Sequence, residues 1–247
     1  MTPARKAATK KAAPTKKAPT KKAAPTKKAA ATKKAAATKK APATKKAPAT
    51  KKAAGRAGVA PSALILTPGA GASRDHRTLV ALEGAVRERT TIGAVERVDF
   101  PYRIAGKRAP DKAPVAIAHL VAEAQALVAA AGTDPAGLVL GGRSYGGRMC
   151  SMAVAEGLPA AGLVLLSYPL HPPGKPENLR VEHFPQLDLP VLFVSGDKDP
   201  FGKPDEFDEH VRSIPGPVTQ VWVPGGHDPK KDPLVIDAVV DWLQSLV

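Results

Sequence analysis

A serine between glycines stands in the stretch GGRSYGGR, which covers residues 141–148. Gly142, Ser144 and Gly146 form the pattern G-x-S-x-G, with the apolar run GLVL before it and a helical stretch after it. In this strand, turn and helix context the pattern exposes a serine hydroxyl at the end of the strand, where it can attack a carbonyl carbon. The spacing therefore predicts Ser144 as a nucleophile. The alternative is a glycine-rich turn without chemistry.

A serine is a poor nucleophile unless a base takes its proton, and that base needs a carboxylate to orient it. Asp197 and Asp199 follow the apolar run VLFVSG, and His227 lies in a glycine-rich loop after the run VTQVWV. The chain order Ser, Asp, His is one of the arrangements in which this chemistry occurs. We expect His227 to be the base and Asp199 the orienting acid. Asp197 is the alternative acid, although its position beside Gly196 is typical of a turn.

The negative charge that develops on the attacked carbonyl oxygen needs backbone N–H donors near the serine. One donor is expected from Tyr145, directly after Ser144. The second is expected from Ala70 in the loop TPGAGAS, where Gly69 and Gly71 permit unusual backbone conformations. The alternative for this loop is an ordinary glycine turn.

These candidate residues follow short apolar runs, and such runs alternate with amphipathic stretches from Val59 onward. The alternation predicts βα units and a mostly parallel sheet. Strands are predicted at residues 62–68, 95–100, 137–142, 162–168, 191–196 and 218–223. Helices are predicted at residues 76–89, 114–131, 146–156, 204–214 and 233–246. We expect one α/β domain over residues 59–247, a six-stranded sheet flanked by helices, with its chemistry at the carboxyl ends of the strands.

Residues 1–58 differ sharply in composition from the rest of the chain. Up to Arg56 they contain 19 Lys and Arg and no Asp or Glu, whereas the remainder has 18 basic and 22 acidic residues. A Thr-Lys-Lys unit recurs eight times from Thr9 to Thr50, among Ala and Pro residues that cannot offset the entropy of ordering. We expect a disordered tail that binds nucleic acid through lysine–phosphate contacts, without reading sequence. The alternative is a solvated arm with no dedicated partner.

Other kinds of site and segment are not indicated. Cys150, the single cysteine, is expected to be a small buried core residue, and no spacing of His, Cys or acidic residues suggests a metal site. There is no Walker-type phosphate loop or dinucleotide fingerprint, so no cofactor is expected. No stretch is typical of an export signal or of a transmembrane helix. The expected location is the cytoplasm, on the nucleoid or chromatin if the tail binds DNA.

Six ordered motifs carry a resemblance to a known family: LILTPGAGASRDH, VDFPYRIAGKRAPDKAPV, LGGRSYGGRMCSM, LVLLSYPLHPPGKPENLR, LFVSGDKDPFG and VPGGHDP. Over residues 62–245 the chain resembles small α/β-hydrolases with a dienelactone-hydrolase-like domain, and its tail resembles the Lys/Ala/Pro-rich arms of linker histones. The resemblance implies a minimal α/β-hydrolase fold with Ser144, Asp199 and His227 as the catalytic triad. The chain departs from the family at Pro68, where relatives have histidine, and proline removes a backbone donor from the loop.

Two segments that follow strands are expected to form the walls of a shallow pocket, residues 101–112 and 171–184. The candidate substrate-binding residues are Arg103, Arg143 and His171. The first segment also carries three further basic residues and one acid, namely Lys107, Arg108, Lys112 and Asp111. One hypothesis is a substrate with a carboxylate or a phosphate. The alternative is a solvated basic loop.

Together these features predict a serine hydrolase that acts on a small ester, thioester or lactone and is held near nucleic acid by its tail. The alternative is a non-catalytic protein whose hydrolase-like core is a binding scaffold and whose tail is the functional part. The serine, acid and histidine favour the enzyme, whereas Pro68, the shallow pocket and the long tail favour the scaffold.

Overall fold

The structure, a computed structural model, describes residues 59–247, so the predicted basic tail lies outside the described residues. Six strands form one sheet: β1 Ala63–Thr67, β2 Ala94–Arg97, β3 Leu138–Arg143, β4 Gly162–Leu166, β5 Val191–Gly196 and β6 Val218–Val223. Their order across the sheet is β2-β1-β3-β4-β5-β6, and every neighbouring pair is parallel. The prediction of a six-stranded, mostly parallel sheet flanked by helices is confirmed.

Helices cover both faces of this sheet, as the crossover connections of parallel strands require. In the described part of the chain they are α1 Arg77–Arg89, α2 Pro101–Ile104, α3 Ala113–Ala131, α4 Tyr145–Ala155, α5 Pro204–His210 and α6 Asp232–Gln244. α1 and α6 pack together on one face, and α3 and α4 pack together on the other. The result is a three-layer domain whose loops meet along the carboxyl edge of the sheet.

Each face of the sheet has its own hydrophobic core. In β1, Ala63 and Ile65 point toward the core under α3 and α4, whereas Leu64 and Leu66 point toward the core under α1 and α6. All four side chains are fully buried. This explains why the strand is a continuous apolar run rather than an alternating one, because both of its faces are covered.

The elements differ from the sequence-based prediction mainly at their ends. α2 is not expected from the sequence, since four residues are too few to show a helical hydrophobic pattern. Pro101 begins this helix with a fixed φ angle, and Asp99 leaves the sheet just before it to accept a hydrogen bond of 2.7 Å from the Arg74 N–H. β2 therefore ends at Arg97 instead of residue 100.

α3 is long and apolar enough, by length and composition alone, to cross a bilayer. An 18-residue window of this helix has a mean hydropathy of 1.5, although no such stretch is expected from the sequence analysis above. Ala116, Ile117, Leu120 and Ala124 are buried against the sheet and α4, and the exposed positions are mainly alanine. In this structure these four apolar side chains contribute to the packing of the domain.

Candidate active site

Ser144 lies at the sharp turn between β3 and α4. Its backbone has φ 50° and ψ −114°, a conformation that a non-glycine residue adopts at a cost of about 1–3 kcal/mol. The Ser144 N–H donates a 2.8 Å hydrogen bond to the carbonyl oxygen of Leu166 at the end of β4, and this bond fixes the turn. The strained turn presents the serine hydroxyl at the carboxyl edge of the sheet.

The glycines around Ser144 are required by close backbone packing. A Cβ at Gly146 would lie 2.6 Å from the Pro68 carbonyl oxygen and 2.8 Å from that of Thr67. A Cβ at Gly142 would overlap the Thr67 hydroxyl. The end of β1 therefore packs directly on the first turn of α4, and a side chain at either position would push them apart.

A chain of hydrogen bonds joins Ser144 to a buried carboxylate. The Nε2 atom of His227 lies 2.8 Å from the Ser144 Oγ atom, and its Nδ1 atom lies 2.8 Å from the Oδ2 atom of Asp199. The ring of Phe201 stacks on the imidazole at a centroid distance of 4.0 Å. This arrangement can carry a proton from the hydroxyl to the imidazole, because the carboxylate fixes the ring with N–H toward Asp199.

The two aspartates after β5 have different surroundings. Asp199 is only 1% exposed, and its Oδ1 atom accepts a 2.9 Å hydrogen bond from the Phe201 N–H. Asp197 is exposed and accepts a 2.9 Å hydrogen bond from the N–H of Gly225. The structure thus brings Asp199 to His227 and places Asp197 where it fixes the loop that carries this histidine.

The backbone of Ala70 and Tyr145 lies beside the serine. A Cβ built on Gly69 would come within 3.5 Å of the Ser144 Cβ, so this loop borders Ser144 directly. Neither the Ala70 N–H nor the Tyr145 N–H donates to another residue in the described part of the chain. Both amides therefore have hydrogen-bonding capacity for a bound carbonyl oxygen.

Side chains behind these amides hold the loops in place. The Tyr102 hydroxyl donates to the Ala70 carbonyl oxygen at 2.8 Å, and the Tyr145 hydroxyl donates to the Asp111 carbonyl oxygen at 2.8 Å. Burial raises the pKa of Tyr145, so this phenol stays protonated and keeps its bond. The segment 101–112 is in this way attached to the site through its backbone.

An open cavity of about 640 Å³ surrounds Ser144 and His227. It is lined by the loop after β1, the first turn of α4, the loop of His227 and single residues of the two expected wall segments, Pro110 and Arg180. Of the three candidate substrate-binding residues, only Arg143 lines it. Within residues 59–247, no group of His, Cys, Asp or Glu side chains is arranged to hold a metal ion.

Arg103 and His171 lie away from the cavity lining. Arg103 belongs to α2. His171 is 5% exposed, with Nδ1 at 2.8 Å from the Pro172 carbonyl oxygen and Nε2 at 3.3 Å from the Glu206 carboxylate. The imidazole of His171 therefore links two segments of the fold in this structure.

Arg143 connects the serine turn to the histidine loop. Its Nη2 atom donates to the carbonyl oxygen of His227 at 2.7 Å and lies 3.1 Å from the Oδ1 atom of Asp228. Burial lowers the pKa of the Arg143 guanidinium. Partial burial works against ionisation of Asp228, but the Lys230 hydrogen bond and the charges of Arg143 and Arg77 hold its pKa below the usual range. The ion pair thus fixes the loop next to the imidazole.

Several cavity residues are not singled out by the sequence reasoning, among them His76, Arg148 and Phe201. His76 comes at the end of the loop after β1, and its position at the carboxyl edge is a signal that the sequence contains. Burial, followed by the charge of Arg143, lowers the pKa of this imidazole. Arg148 stands in the GGRSYGGR stretch itself, one helical turn after the serine. Arg180 lies in the expected wall segment 171–184, but the sequence does not indicate which residue of that long segment reaches the cavity.

Cys150 does not belong to the reactive groups of the site. It is fully buried, and its Sγ atom lies 3.5 Å from the Thr67 hydroxyl and 3.5 Å from the Gly141 carbonyl oxygen. Burial raises the pKa of the thiol to about 12. Because the thiolate is the reactive form, this cysteine is a packing residue.

The profile of the family described as "Alpha/beta hydrolase domain" matches residues 60–233. Among solved structures, the chain is similar to Est1E from Butyrivibrio proteoclasticus with bound ferulic acid. That comparison has a TM-score of 0.61 and 19% identity over 75% of this chain and 89% of the other. A cold-adapted esterase from an Arctic intertidal metagenomic library gives a TM-score of 0.58 with 17% identity, over 77% and 84% of the two chains.

A third similar structure comes from the work on the metagenome-derived lipolytic enzymes LipS and LipT. Its TM-score is 0.57 with 14% identity, over 75% of this chain and 94% of that one. Structural similarity at identities of this size shows that these proteins share the α/β-hydrolase fold. It does not show that they share a substrate.

Proposed function

This chain belongs to the alpha/beta hydrolase domain family, and we propose that it is a serine hydrolase of small carboxylic esters, thioesters or lactones. The fold and its esterase neighbours support hydrolase activity. The observation that carries the finer proposal is the hydrogen-bonded chain from Ser144 through His227 to Asp199, with both of its shortest contacts at 2.8 Å.

In the proposed reaction the Ser144 Oγ atom attacks the acyl carbon while the His227 Nε2 atom takes the hydroxyl proton. The carbonyl oxygen then accepts hydrogen bonds from the N–H groups of Ala70 and Tyr145. His227 returns its proton to the leaving alcohol or thiol, which leaves an acyl-serine. A water molecule next loses a proton to Nε2 and attacks the acyl carbon. The bond to the Ser144 Oγ atom then breaks, Nε2 returns the proton to Oγ, and the acid is released.

The shape of the site supports a small substrate. The cavity of about 640 Å³ is bordered by the loops themselves, and between β4 and α5 the chain places no helical lid over it. Pro68 has no N–H to donate. The two proposed donors are the N–H groups of Ala70 and Tyr145, so the proline at position 68 does not remove either donor. The resemblance to dienelactone hydrolases favours lactones and activated esters as first substrates to test.

The tail adds a second part to the proposal. Residues 2–56 carry 19 positive charges and no negative ones, which suits neutralisation of a phosphate backbone. We propose that this segment holds the enzyme on nucleic acid, in the cytoplasm, without preference for base sequence. The charge of the tail is what supports this part of the proposal.

The first experiment is labelling of the full chain with a fluorophosphonate probe, which reacts covalently with an activated serine. We expect labelling of the native protein and its loss in Ser144→Ala and in His227→Ala. Ser73→Ala is a matched control, because Ser73 lies in the loop after β1 that borders Ser144 but does not line the cavity. Ester hydrolysis should fall by at least about 10³-fold in Ser144→Ala.

A folded native protein that the probe does not label would contradict the hydrolase proposal. It would favour the alternative in which the core is a binding scaffold and the basic tail is the functional part. Labelling that persists in Ser144→Ala would place the reactive serine elsewhere in the chain.

A further inference from the structure

Two arginines line the cavity close to the nucleophile. Arg148 lies on the first turn of α4, four residues after Ser144, and Arg180 lies in the segment between β4 and β5. Both share the cavity with Ser144 and His227. The two side chains thus bring positive charge to the space that a substrate would occupy.

The other arginines near the site are neutralised by carboxylates. Arg143 lies 3.1 Å from Asp228, and Arg77 pairs with Asp228 and with Asp232. Because these groups offset one another, that part of the site offers little net charge to a ligand.

Arg148 and Arg180 lack such partners within residues 59–247. Neither guanidinium forms an ion pair or a side-chain hydrogen bond there, and the Nε atom of Arg148 is buried without any hydrogen-bond partner. The negative charge of Glu182 acts on Arg180, but the two form no ion pair and the glutamate is exposed. A partly buried N–H donor without an acceptor lowers the stability of the fold, and a ligand that accepts its hydrogen bond removes this cost.

The two guanidinium groups also act on each other. Burial and the positive charge of Arg148 lower the pKa of Arg180. Two adjacent positive charges without a counter-ion are unfavourable, and a bound anion would remove the repulsion.

We propose that Arg148 and Arg180 form an anion-binding subsite, so that the preferred substrate is an ester that also carries a carboxylate. This deepens the proposed hydrolase function and rests on it. A guanidinium matches the planar shape of a carboxylate and can donate two hydrogen bonds to it. The location differs from the basic loop considered in the sequence analysis, because Lys107 and Arg108 are exposed outside the cavity lining.

The test compares two esters of equal size. Methyl hydrogen glutarate carries a carboxylate at neutral pH, and methyl glutaramate has an uncharged amide in its place. For the full native chain we expect kcat/KM for the anionic ester to be at least about ten-fold higher, as one charge-assisted contact would give. Equal values of kcat/KM for the two esters would overturn the subsite.

Variants locate the preference. Arg148→Gln and Arg180→Gln should each reduce the ratio of the two kcat/KM values by roughly five- to ten-fold. Arg212→Gln, at an exposed residue outside the cavity, is the control and should keep the ratio. If Arg148→Gln does not fold, Arg180→Gln still provides the test. Loss of the preference in Arg108→Gln instead would place the recognition on segment 101–112 and contradict the proposal.

Equilibrium binding separates this proposal from the hydrolase proposal. The Ser144→Ala chain, which keeps the whole tail, should bind methyl hydrogen glutarate more tightly than methyl glutaramate in calorimetry, and Arg180→Gln in that background should abolish the difference. If the native chain neither hydrolyses esters nor reacts with the probe but binds the anion selectively, the hydrolase proposal fails and the subsite stands. Equal binding of both compounds would remove the subsite whatever the activity.

Discussion

Asp197 and Asp199 stand two residues apart and differ in what their environments let them do. Asp199 is buried against His227 and accepts hydrogen bonds from both the imidazole and a backbone N–H. Asp197 is exposed and accepts from the backbone of Gly225. A carboxylate shielded from water interacts more strongly with the imidazolium that forms during proton transfer. On the residue scale, burial therefore favours Asp199 as the orienting acid of the proposed triad.

The first prediction uses this pair as a matched comparison. Asp199→Asn is expected to lower kcat for ester hydrolysis by about 10⁴-fold, because an amide cannot hold the imidazole in the required protonation state. Asp197→Asn keeps a hydrogen-bond acceptor for Gly225 and should lower kcat by less than about ten-fold. Steady-state kinetics of both variants with one activated ester gives the answer. Equal losses in the two variants would contradict the assignment.

The grouping of Ser144, Asp199 and His227 could be predicted from the sequence, because each follows a strand and parallel strands end at one edge of the sheet. Their roles remain predictions. The sequence places His76 and Arg180 in segments near this edge, but it could not show that these two residues, rather than their neighbours, line the cavity. Each enters the cavity by the folding of a loop over the sheet edge, and hydrophobic periodicity carries no information about that path.

The sharp turn between β3 and α4 depends on the close packing of the end of β1 against Gly142 and Gly146. Gly142 and Gly146 allow the end of β1 to approach the helix so closely that a Cβ at either position would meet Thr67. This contact also brings the loop of Gly69 and Ala70 to Ser144. On the scale of elements, the packing of β1 on α4 therefore positions the proposed amide donors.

The second prediction compares the same substitution in two helices. Gly146→Ala should lower the free energy of unfolding by about 2 kcal/mol, because the backbone of Thr67 and Pro68 would have to move. Gly84→Ala, in an exposed position of α1 with no atom within 4 Å, should raise it by about 0.5–1 kcal/mol. Urea unfolding monitored by tryptophan fluorescence measures both. A neutral Gly146→Ala would show that the contact can relax.

The third prediction concerns the contact of α4 with the turn that begins after His183. The His183 Nε2 atom lies 2.7 Å from the Ser151 hydroxyl, and burial, then the charge of Arg148, lowers its pKa from 6.5 to about 4. Between pH 6.5 and about pH 4, His183 binds a proton in the unfolded chain but not in the folded chain. The stability contributed by neutral His183 is therefore lost as the pH falls through this range. After allowance for solvent screening, we expect a loss of about 1–3 kcal/mol between pH 6.5 and pH 4.

Denaturant unfolding at several pH values tests this dependence. His183→Gln keeps a polar partner for Ser151 but cannot titrate, so its stability should change less over this pH range than that of the native chain. His210→Gln is the control, because the His210 imidazole forms no hydrogen bond or ion pair with residues 59–247, and this variant should follow the native curve. A native and a His183→Gln curve that run parallel would exclude His183 as the source.

The strands and the long helices could be predicted because burial on one or both faces leaves a readable apolar pattern. α2 and the early end of β2 could not, since they result from local hydrogen bonds at Asp99 and from Pro101. β4 likewise ends at Leu166, two residues before the predicted end, where Ser167 takes a positive φ of 47°. Contacts that form only in the folded chain decide where these elements stop.

The charge of the whole molecule divides into two parts of opposite sign. The formal net charge is +15, yet the chain beyond Arg56 has more acidic than basic residues. The proposed nucleic-acid binding is therefore expected to depend on the lysines of the repeated units, whereas the proposed hydrolysis is expected to depend on the folded domain. The two properties should be separable by substitution.

The last prediction tests this separation in the full-length chain. Changing the sixteen lysines of the eight Thr-Lys-Lys units to glutamine would bring the formal net charge from +15 to −1. Because each neutralised phosphate releases counter-ions, we expect the native chain to bind a short DNA duplex with an affinity that falls by about 10³-fold or more between roughly 50 mM and 200 mM salt. The glutamine variant should show no measurable binding at the lower salt concentration and unchanged kcat/KM for a small neutral ester. DNA binding that survives the substitution would place the nucleic-acid contact on the α/β domain and contradict the proposed role of the tail.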